Sequence, residues 1–292
     1  MAKHKLSKVV IPIAGLGTRM LPATKAIPKE MLPVAGKPII QHIVEEASLA
    51  GFSEIIFVTH SSKYSVENHF DTSFELEAAL EKRVKRSLLK EIKNISKLNV
   101  NISSIRQGEA KGLGHAILCA KRLLDVDPFA VMLPDMIIDI NTKKSNLYLM
   151  KNEFEKSGQS SVLLGTAKKS EISKYGIAKI ARSKNSNGSY KLENIIEKPT
   201  PKRSPSNLFA TGRYIFTNEI LDFLSSEKPD STGEIQLTGA ISNFLNSNPV
   251  QGFKLEGKIF DCGEKLGYLI ANLAFSFKDP NLKKEVLKFI KK

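Results

Sequence analysis

Residues near the start of the chain have the types and spacing that suit phosphate binding. Gly15, Gly17, Thr18 and Arg19 follow directly after the apolar run 9–13. Such a run is typical of a strand that is buried on both faces of a parallel sheet. Glycines at its carboxyl end let backbone amides approach a ligand closely, and consecutive amides form a concavity that binds anions. Arg19 adds a positive charge with bidentate reach, so the segment predicts a site for a phosphate chain.

The residues beyond this segment help to distinguish the kinds of phosphate site. A dinucleotide fingerprint needs a third glycine that opens a helix, but Met20 and Pro22 occupy that region. The Walker A pattern fails as well, because no Gly-Lys pair is followed by Ser or Thr. Lys25 and Lys29 place two more positive charges near the glycines, which suits a triphosphate better than a dinucleotide. A Gly-x-Gly turn that binds nothing is the remaining alternative.

Polar side chains at the ends of later strands could contact other parts of a nucleotide. Gln107 follows a strand predicted over 100–106, and a neutral amide can pair with the donor and acceptor edge of a pyrimidine. Asp135 ends another apolar strand, where a carboxylate can bind Mg²⁺ together with substrate phosphates or can cap a helix. Asp261 also ends a strand and is a second candidate ligand. His115 is either a catalytic residue or a histidine at a helix start close to the site.

These residues need a framework, and the hydrophobic periodicity predicts one. Strands and helices alternate early in the chain, which favours a sheet with right-handed crossovers. Three later apolar patches, two of them joined by an Asn-, Ser- and Gly-rich turn at 182–189, indicate antiparallel strands. The amphipathic helix 74–98 is either a dimer contact or lid, or a helix packed on the flank. The predicted strands are 9–13, 54–59, 100–106, 129–135, 160–167, 175–180, 190–196, 208–217 and 250–260, and the predicted helices are 37–50, 74–98, 113–124, 145–157, 265–277 and 281–290.

Composition and charge limit the classes of protein that the chain can represent. Of its 292 residues, 41% are hydrophobic and 25% are charged, and no apolar run reaches membrane-spanning length. Its start lacks the apolar core of a signal peptide, and its two cysteines fit no metal-binding spacing. The net charge of +14 is interspersed with glutamates, which favours steering of phosphorylated substrates over a nucleic-acid stripe. We expect a soluble, cytoplasmic protein that binds neither nucleic acid nor membranes.

Several short motifs together resemble one family. The segments Gly-Leu-Gly-Thr-Arg-Met-Leu-Pro at 15–22 and Pro-Lys-Glu-Met-Leu-Pro at 28–33 resemble the signature of sugar-1-phosphate nucleotidyltransferases. The resemblance extends from about residue 9 to about residue 274 and points to the uridylyltransferase branch. Later motifs that carry it are Arg106-Gln107-Gly108, Leu133-Pro134-Asp135, Glu197-Lys198-Pro199 and Asp261-Cys262-Gly263.

The resemblance implies an α/β fold and a division of labour along the chain. The fold would be a Rossmann-like, mixed but mostly parallel sheet flanked by helices, with a smaller antiparallel part (the nucleotide-diphospho-sugar transferase fold). One nucleotidyltransferase domain would span 1–292. It would comprise a nucleotide-binding half at about 8–140, a sugar-binding half at about 141–262 and C-terminal helices at about 263–292. Those helices could form the subunit contacts of a homodimer or homotetramer.

The implied activity is transfer of a uridylyl group from UTP to glucose 1-phosphate, which yields UDP-glucose and pyrophosphate for nucleotide-sugar and cell-envelope polysaccharide synthesis. Mg²⁺ would be the cofactor. No general base is required, because the attacking phosphate oxygen is already ionised. The family usually has Asp where this chain has Gly239, so the role of that position is open. The resemblance assigns Arg19, Lys29 and Lys198 to catalysis, Asp135 and Asp261 to the metal, and Ala14, Gly15, Gly17, Thr18, Glu30, Gln107, Gly112, Gly176, Glu197 and Gly212 to substrate binding.

Three alternatives remain at this stage. A glucose-1-phosphate thymidylyltransferase is the nearest, since contacts to the 2′-hydroxyl and 5-methyl groups cannot be read from the sequence. A nicotinamide-dependent oxidoreductase would share the α/β framework, but Met20 and Pro22 argue against it. A non-catalytic paralogue that binds a nucleotide sugar and regulates a partner is the third. The presence of Arg19, Lys29, Asp135 and Lys198 argues against that function.

Overall fold

The computed structural model describes residues 4–139 and 144–290, and these contain thirteen strands and eleven α-helices. The strands are β1 (Lys8–Pro12), β2 (Pro33–Val34), β3 (Lys37–Pro38), β4 (Glu54–Thr59), β5 (Asn101–Arg106), β6 (Phe129–Met132), β7 (Met136–Asp139), β8 (Ser160–Thr166), β9 (Gly176–Lys184), β10 (Tyr190–Glu197), β11 (Leu208–Phe216), β12 (Val250–Lys254) and β13 (Lys258–Asp261). The helices are α1 (Ile39–Leu49), α2 (Tyr64–Phe70), α3 (Phe74–Lys82), α4 (Arg86–Ser96), α5 (Gly112–Cys119), α6 (Lys121–Leu124), α7 (Asn146–Ser157), α8 (Ile220–Ser226), α9 (Leu237–Phe244), α10 (Lys265–Ser276) and α11 (Pro280–Ile290).

Nine of the described strands form one mixed sheet in the order β5-β4-β1-β6-β11-β8-β12-β10-β9. β5, β4, β1 and β6 are parallel neighbours, and β8 and β12 form a further parallel pair. β11 runs antiparallel to β6, β8 and β9, and β10 runs antiparallel to β12 and β9. The expected α/β fold with a mixed, helix-flanked sheet is confirmed. Its antiparallel strands extend the parallel sheet instead of forming a separate one.

Helices cover both faces of this sheet, which explains the continuous apolar run in β1. Successive side chains of a strand point to opposite faces. Val9 and Ile11 lie in one hydrophobic cluster with residues of α1, α7 and α10. Val10 lies in a second cluster with residues of α5, α8 and α9. Because both faces are covered, the alternation of apolar and polar residues disappears.

Three predicted elements are each divided in the structure. The prediction of a single helix over 74–98 is wrong, because α3 and α4 are separated at Val84, where φ is 55°. The helix expected over 113–124 is divided into α5 and α6. The strand expected over 250–260 is divided into β12 and β13, with Gly257 at a φ of 106° between them. β13 leaves the main sheet and pairs with β7 in a two-stranded ribbon. Apolar residues continue across each break, so periodicity alone did not reveal the turns.

Some sequence predictions concern residues outside the described part of the chain. The proposed boundary near residue 140 lies there, as do the first three residues and the last two. Among the helices that are described, none has the length and the apolar character needed to cross a bilayer.

Candidate active site

A cavity of about 790 Å³ brings most of the predicted site residues together. Its walls come from the loop after β1, from the loops that follow β5 and β6, and from β9, β10 and the start of α9. Glu30 and Gly212 do not line it. The predicted residues that do are Ala14, Gly15, Gly17, Thr18, Arg19, Lys29, Gln107, Gly112, Asp135, Gly176, Glu197, Lys198 and Asp261.

The glycine segment after β1 is fixed through its carbonyl groups. Lys63 Nζ donates to Gly15 O at 2.7 Å, and Thr24 Oγ1 donates to Gly17 O at 2.7 Å. Gly17 has a φ of 68°, a conformation that favours glycine. No described residue accepts a hydrogen bond from the amides of Gly15, Leu16 and Gly17. These amides can therefore donate hydrogen bonds to an anion, which is the role that the sequence predicts.

Glu30 lies beneath this segment instead of facing the cavity. It is buried, and its Oε2 accepts a hydrogen bond from Lys63 Nζ at 2.8 Å. Burial raises the pKa of Glu30, although the nearby ammonium groups of Lys63 and Lys29 oppose the shift. Since Lys63 also holds Gly15, Glu30 supports the glycine segment from below. This position explains its place in the motif without a contact in the cavity.

The ribbon of β7 and β13 brings the two predicted metal ligands together. Its register pairs Met136 with Asp261, and Cys262 N donates to Asp135 O at 2.8 Å. Both carboxylates are mostly buried, with 14% of each side chain exposed. Tyr175 OH and Gly263 N donate to Asp261 at 3.4 and 2.9 Å. Asp135, directly before β7, and Asp261, at the end of β13, therefore lie side by side although they are far apart in sequence.

Cations surround this pair of carboxylates. Lys29 Nζ donates to Asp135 Oδ2 at 2.6 Å. Arg19 lies 4.0 Å from Asp135 Oδ2 and 3.9 Å from Asp261 Oδ2. Burial alone would raise the pKa of Asp135, but Lys29 and Arg19 outweigh it and hold that pKa below its usual value. The pKa of Asp261 is raised, first by burial and then by the charge of Asp135. Negative charge at Asp261 is thus only partly compensated by its surroundings.

Two charged residues that sequence reasoning missed line the same cavity. Arg19 Nη1 donates to Glu264 Oε1 at 3.3 Å, and Lys174 Nζ donates to Glu264 Oε2 at 2.9 Å. The hydrogen bond from Lys174 lowers the pKa of Glu264. Glu264 follows Asp261-Cys262-Gly263 directly, which was an available signal. Lys174 ends a short 3₁₀ helix among other lysines, and nothing in the sequence distinguishes it.

β9, β10 and α9 form the opposite wall. The register places Gly176 next to Glu197, and a Cβ added at Gly176 would lie 2.7 Å from Thr238 Cγ2. Thr238 Oγ1 donates to Glu197 Oε2 at 3.0 Å. Lys198 Nζ lies 3.3 Å from Glu197 Oε1, and 54% of the Lys198 side chain is exposed. Glu197 is therefore fixed by two donors, while Lys198 stays open to a ligand.

Gly212 and Arg213 support the cavity wall from behind. Gly212 has a φ of 82°, and a Cβ there would lie 2.7 Å from Leu133 Cβ. Arg213 is completely buried and forms a bidentate pair with Glu46 at 3.2 and 2.7 Å. It also donates to Leu133 O at 3.1 Å and to Met136 O at 2.7 Å. These bonds hold both sides of the segment that carries the first predicted metal ligand.

Gln107 and Gly112 lie where the loop after β5 meets the segment before α9. Ile235 N donates to Lys111 O at 2.9 Å, and Gly114 N donates to Ile235 O at 2.9 Å. Gly112 has a φ of 86°, and an added Cβ would lie 2.8 Å from Glu234 Cβ. The backbone at this end of the cavity is therefore closely packed, with little room for side-chain atoms on Gly112.

Comparison with known proteins gives concordant results. A family model described as "Nucleotidyl transferase" matches residues 8–276. The chain is 48% identical over 288 residues to the UTP–glucose-1-phosphate uridylyltransferase of Haemophilus influenzae. The aligned region covers 97% of this chain and 98% of the relative. It is similar to the UTP-bound UGPase from Acinetobacter baumannii, with a TM-score of 0.90, 41% identity and coverage of 99% of both chains. A UDP-glucose pyrophosphorylase complexed with UDP-glucose gives a TM-score of 0.85 and 39% identity, covering 94% of this chain and 100% of the other.

Proposed function

The chain belongs to the nucleotidyl transferase family, and we propose that it transfers a uridylyl group from UTP to glucose 1-phosphate, which yields UDP-glucose and pyrophosphate. The observation that carries this proposal is one cavity lined by the phosphate loop, two carboxylates and the pair Glu197–Lys198. Solved relatives bound to UTP and to UDP-glucose favour a uridine nucleotide over the thymidine alternative. The cations and carboxylates that line the cavity favour an enzyme over a regulatory paralogue.

The glycine segment after β1, residues 14–19, is the proposed phosphate loop and lies at the end of the cavity where pyrophosphate would leave. The amides of Gly15 and Gly17 and the side chains of Arg19 and Lys29 would hold the β and γ phosphates of UTP. Donors fixed in advance stabilise charge that develops in a transition state at little reorganisation cost. Lys63 and Glu30, which hold the loop from below, would keep these donors in position.

Asp135 and Asp261 fit a Mg²⁺ ion. Mg²⁺ prefers carboxylate and phosphate oxygens. Lys29 and Arg19 compensate the charge of Asp135, whereas the negative charge of Asp261, 3.9 Å from Arg19, is only partly compensated. When bound there, the ion would neutralise negative charge on the substrate phosphates. The hydrogen bonds from Tyr175 and Gly263 fix the orientation of Asp261 for that role.

The sugar side of the cavity would bind glucose 1-phosphate. Glu197 and the backbone at Gly176 would contact the glucose hydroxyls, and Lys198 would orient the phosphate that attacks. The attacking oxygen is ionised at neutral pH, so the chain needs no general base. Catalysis then consists of in-line positioning and charge neutralisation at the α phosphorus of UTP.

Pyrophosphate release by the purified protein tests this function. The protein is incubated with glucose 1-phosphate, Mg²⁺ and, separately, UTP, dTTP, CTP, ATP or GTP. We expect the highest kcat/KM with UTP. Equal or faster use of dTTP would favour a thymidylyltransferase. UTP binding without pyrophosphate release would indicate a regulatory protein.

A further inference from the structure

The side-chain amide of Gln107 is held by two acceptors at the nucleotide end of the cavity. Its Nε2 lies 3.2 Å from Gly112 O and 3.0 Å from His115 Nδ1. Gln107 is buried, with 5% of its surface exposed, yet it lines the cavity. His115 lies in the first turns of α5, half-buried behind the glutamine.

These contacts determine which way the amide points. A backbone carbonyl can only accept, so the amide atom that faces Gly112 O must be the nitrogen with its two hydrogens. The second hydrogen is directed at His115 Nδ1, which must then be an unprotonated acceptor, with the ring proton on Nε2. Both amide hydrogens are thereby used. No described residue donates to Gln107 Oε1, so this oxygen is the atom that remains for a ligand.

The acceptor at Gly112 is itself fixed by the backbone. Lys111 and Gly114 are both hydrogen-bonded to Ile235, and the close contact of Gly112 with Glu234 leaves little room for movement. His115 is a side chain and is therefore the adjustable member of the pair. Cys119 Sγ lies 4.0 Å from both ring nitrogens of His115, whereas Gln107 Nε2 lies 3.0 Å from Nδ1 and is its closer partner.

We infer that His115 is a positioning residue that sets the base specificity of the nucleotide site. By occupying the second amide hydrogen, it makes Gln107 present only an acceptor to the base. Uracil carries a hydrogen on N3 and can donate to that oxygen. Cytosine has a lone pair on N3, so the two acceptors would repel each other in the same position. On this inference Gln107 offers the base an acceptor alone, whereas the sequence pattern allowed both a donor and an acceptor. The inference rests on the proposed function, since it concerns the nucleotide of that reaction.

The ratio of kcat/KM for UTP to kcat/KM for CTP, at saturating glucose 1-phosphate, tests this role. His115→Leu keeps the bulk of the side chain but removes the acceptor. We expect it to lower the ratio about tenfold or more, the equivalent of one hydrogen bond, with the KM for glucose 1-phosphate unchanged. His115→Asn, whose Oδ1 can replace Nδ1 as an acceptor, should keep most of the wild-type ratio. Cys119→Ala, which removes the neighbouring sulfur without adding a hydrogen-bonding group, is the control and should leave the ratio unchanged.

Other outcomes would overturn the inference. A merely structural role would lower kcat/KM for UTP and CTP in the same proportion, or would make His115→Asn no better than His115→Leu. If His115→Leu does not fold, His115→Ala replaces it, because alanine suits a helix. Failure of the wild-type protein to use UTP would instead overturn the proposed function, so the two failures are distinguishable.

Discussion

Two lysines lie at opposite ends of the proposed reaction, in different surroundings. Lys29 has 15% of its side chain exposed and is bonded to Asp135, whereas Lys198 is more than half exposed beside Glu197. Burial alone would lower the pKa of Lys29, but Asp135 and Glu30 outweigh it and raise that pKa. The Lys29 ammonium is thus kept charged where pyrophosphate would leave.

Replacing each lysine by methionine should separate their roles. Lys198→Met should weaken binding of glucose 1-phosphate and UDP-glucose with little effect on UTP. Lys29→Met should weaken the binding of UTP and pyrophosphate but not that of UDP-glucose, because UDP-glucose lacks the phosphates that Lys29 would hold. Either change should lower turnover by about 10²-fold or more, because a charge-stabilising donor is lost. Calorimetry checks the affinities, and Lys179→Met, which replaces an exposed lysine of β9, is the control. Loss of UTP affinity in Lys198→Met, with UDP-glucose affinity retained, would contradict the division of the site.

At this scale the sequence predicts residues whose chemistry is contained in a short motif. Arg19, Lys29 and Asp135 are examples, and the structure places all three in one cavity. The sequence could not predict contacts between residues far apart in the chain, such as the hydrogen bond between Arg19 and Glu264, which are 245 positions apart. Nor could it separate a residue that faces the cavity from one that supports it. Glu30 is in the same motif as Lys29, yet it lies below the loop.

At the scale of elements, Arg213 in β11 joins α1 to the segment between β6 and β7. Removing one partner of a buried ion pair leaves the other charge unpaired. Arg213→Met should therefore lower the free energy of unfolding by about 3 kcal/mol or more, measured by urea denaturation. Lys179→Met removes the exposed ion pair with Glu193 and should change the free energy of unfolding by only about 0–1 kcal/mol. Similar small effects in both variants would show that Arg213 does not anchor the segment.

His42 in α1 predicts a dependence of stability on pH. Its Nε2 lies 3.2 Å from Val34 O, and its ring packs edge-on against Phe275 at 5.0 Å. Burial lowers the pKa of His42 below its usual value of 6.5, outweighing the hydrogen bond to Val34. As the pH falls through about 6.5, the unfolded chain binds a proton that the folded chain resists, so stability declines until the folded pKa is reached.

Urea denaturation at about pH 7.5 and about pH 5.5 checks this dependence. The wild-type protein should lose more stability on acidification than His42→Gln, which has no proton to bind in this range. Part of the loss should remain in the variant, because burial also lowers the pKa of His69. An equal loss in both proteins would show that His42 does not titrate differently on folding.

Periodicity predicted which segments are helices and which are strands. It did not predict where each of them ends, because the ends depend on turns and tertiary contacts. β1, β4 and α1 were predicted to within a few residues because their apolar patterns are bounded by glycine, proline or polar residues. The break at Val84 carries no such signal. Gly239 illustrates the same limit, since the resemblance leads one to expect Asp there. In α9 this position faces Glu227, and a Cβ would collide with that carboxylate.

At the scale of the whole molecule, one sheet connects the nucleotide and sugar sides of the site. The sequence predicts the parallel and antiparallel parts but not their continuity, because β11 must pair with both β6 and β8. Pairing partners depend on the order of strands in the sheet, which local patterns do not encode. The proposed division into two halves therefore stays a prediction about function and does not correspond to two separate sheets.

Exposed apolar side chains on the C-terminal helices support the prediction of a homo-oligomer. Clustered exposed apolar residues often mark interfaces between chains. Light scattering of the wild-type protein should give the mass of a dimer or tetramer, and the double variant Leu269→Glu/Phe289→Glu should shift it towards a monomer. Leu49→Glu, on exposed α1 surface, is the control. A monomeric wild-type protein would contradict the prediction. The exposed residues are Leu266, Leu269, Ile270, Leu273, Leu282, Leu287, Phe289 and Ile290.

The fate of each phosphate of UTP tests the central claim most directly. The protein is incubated with glucose 1-phosphate, Mg²⁺ and UTP labelled at either the α or the γ phosphate, and the products are separated. Uridylyl transfer predicts that the α label appears in UDP-glucose and the γ label in pyrophosphate, and that neither product forms once divalent ions are chelated. Transfer of the γ label to the sugar, release of the α label as UMP, or full turnover after chelation would contradict the account.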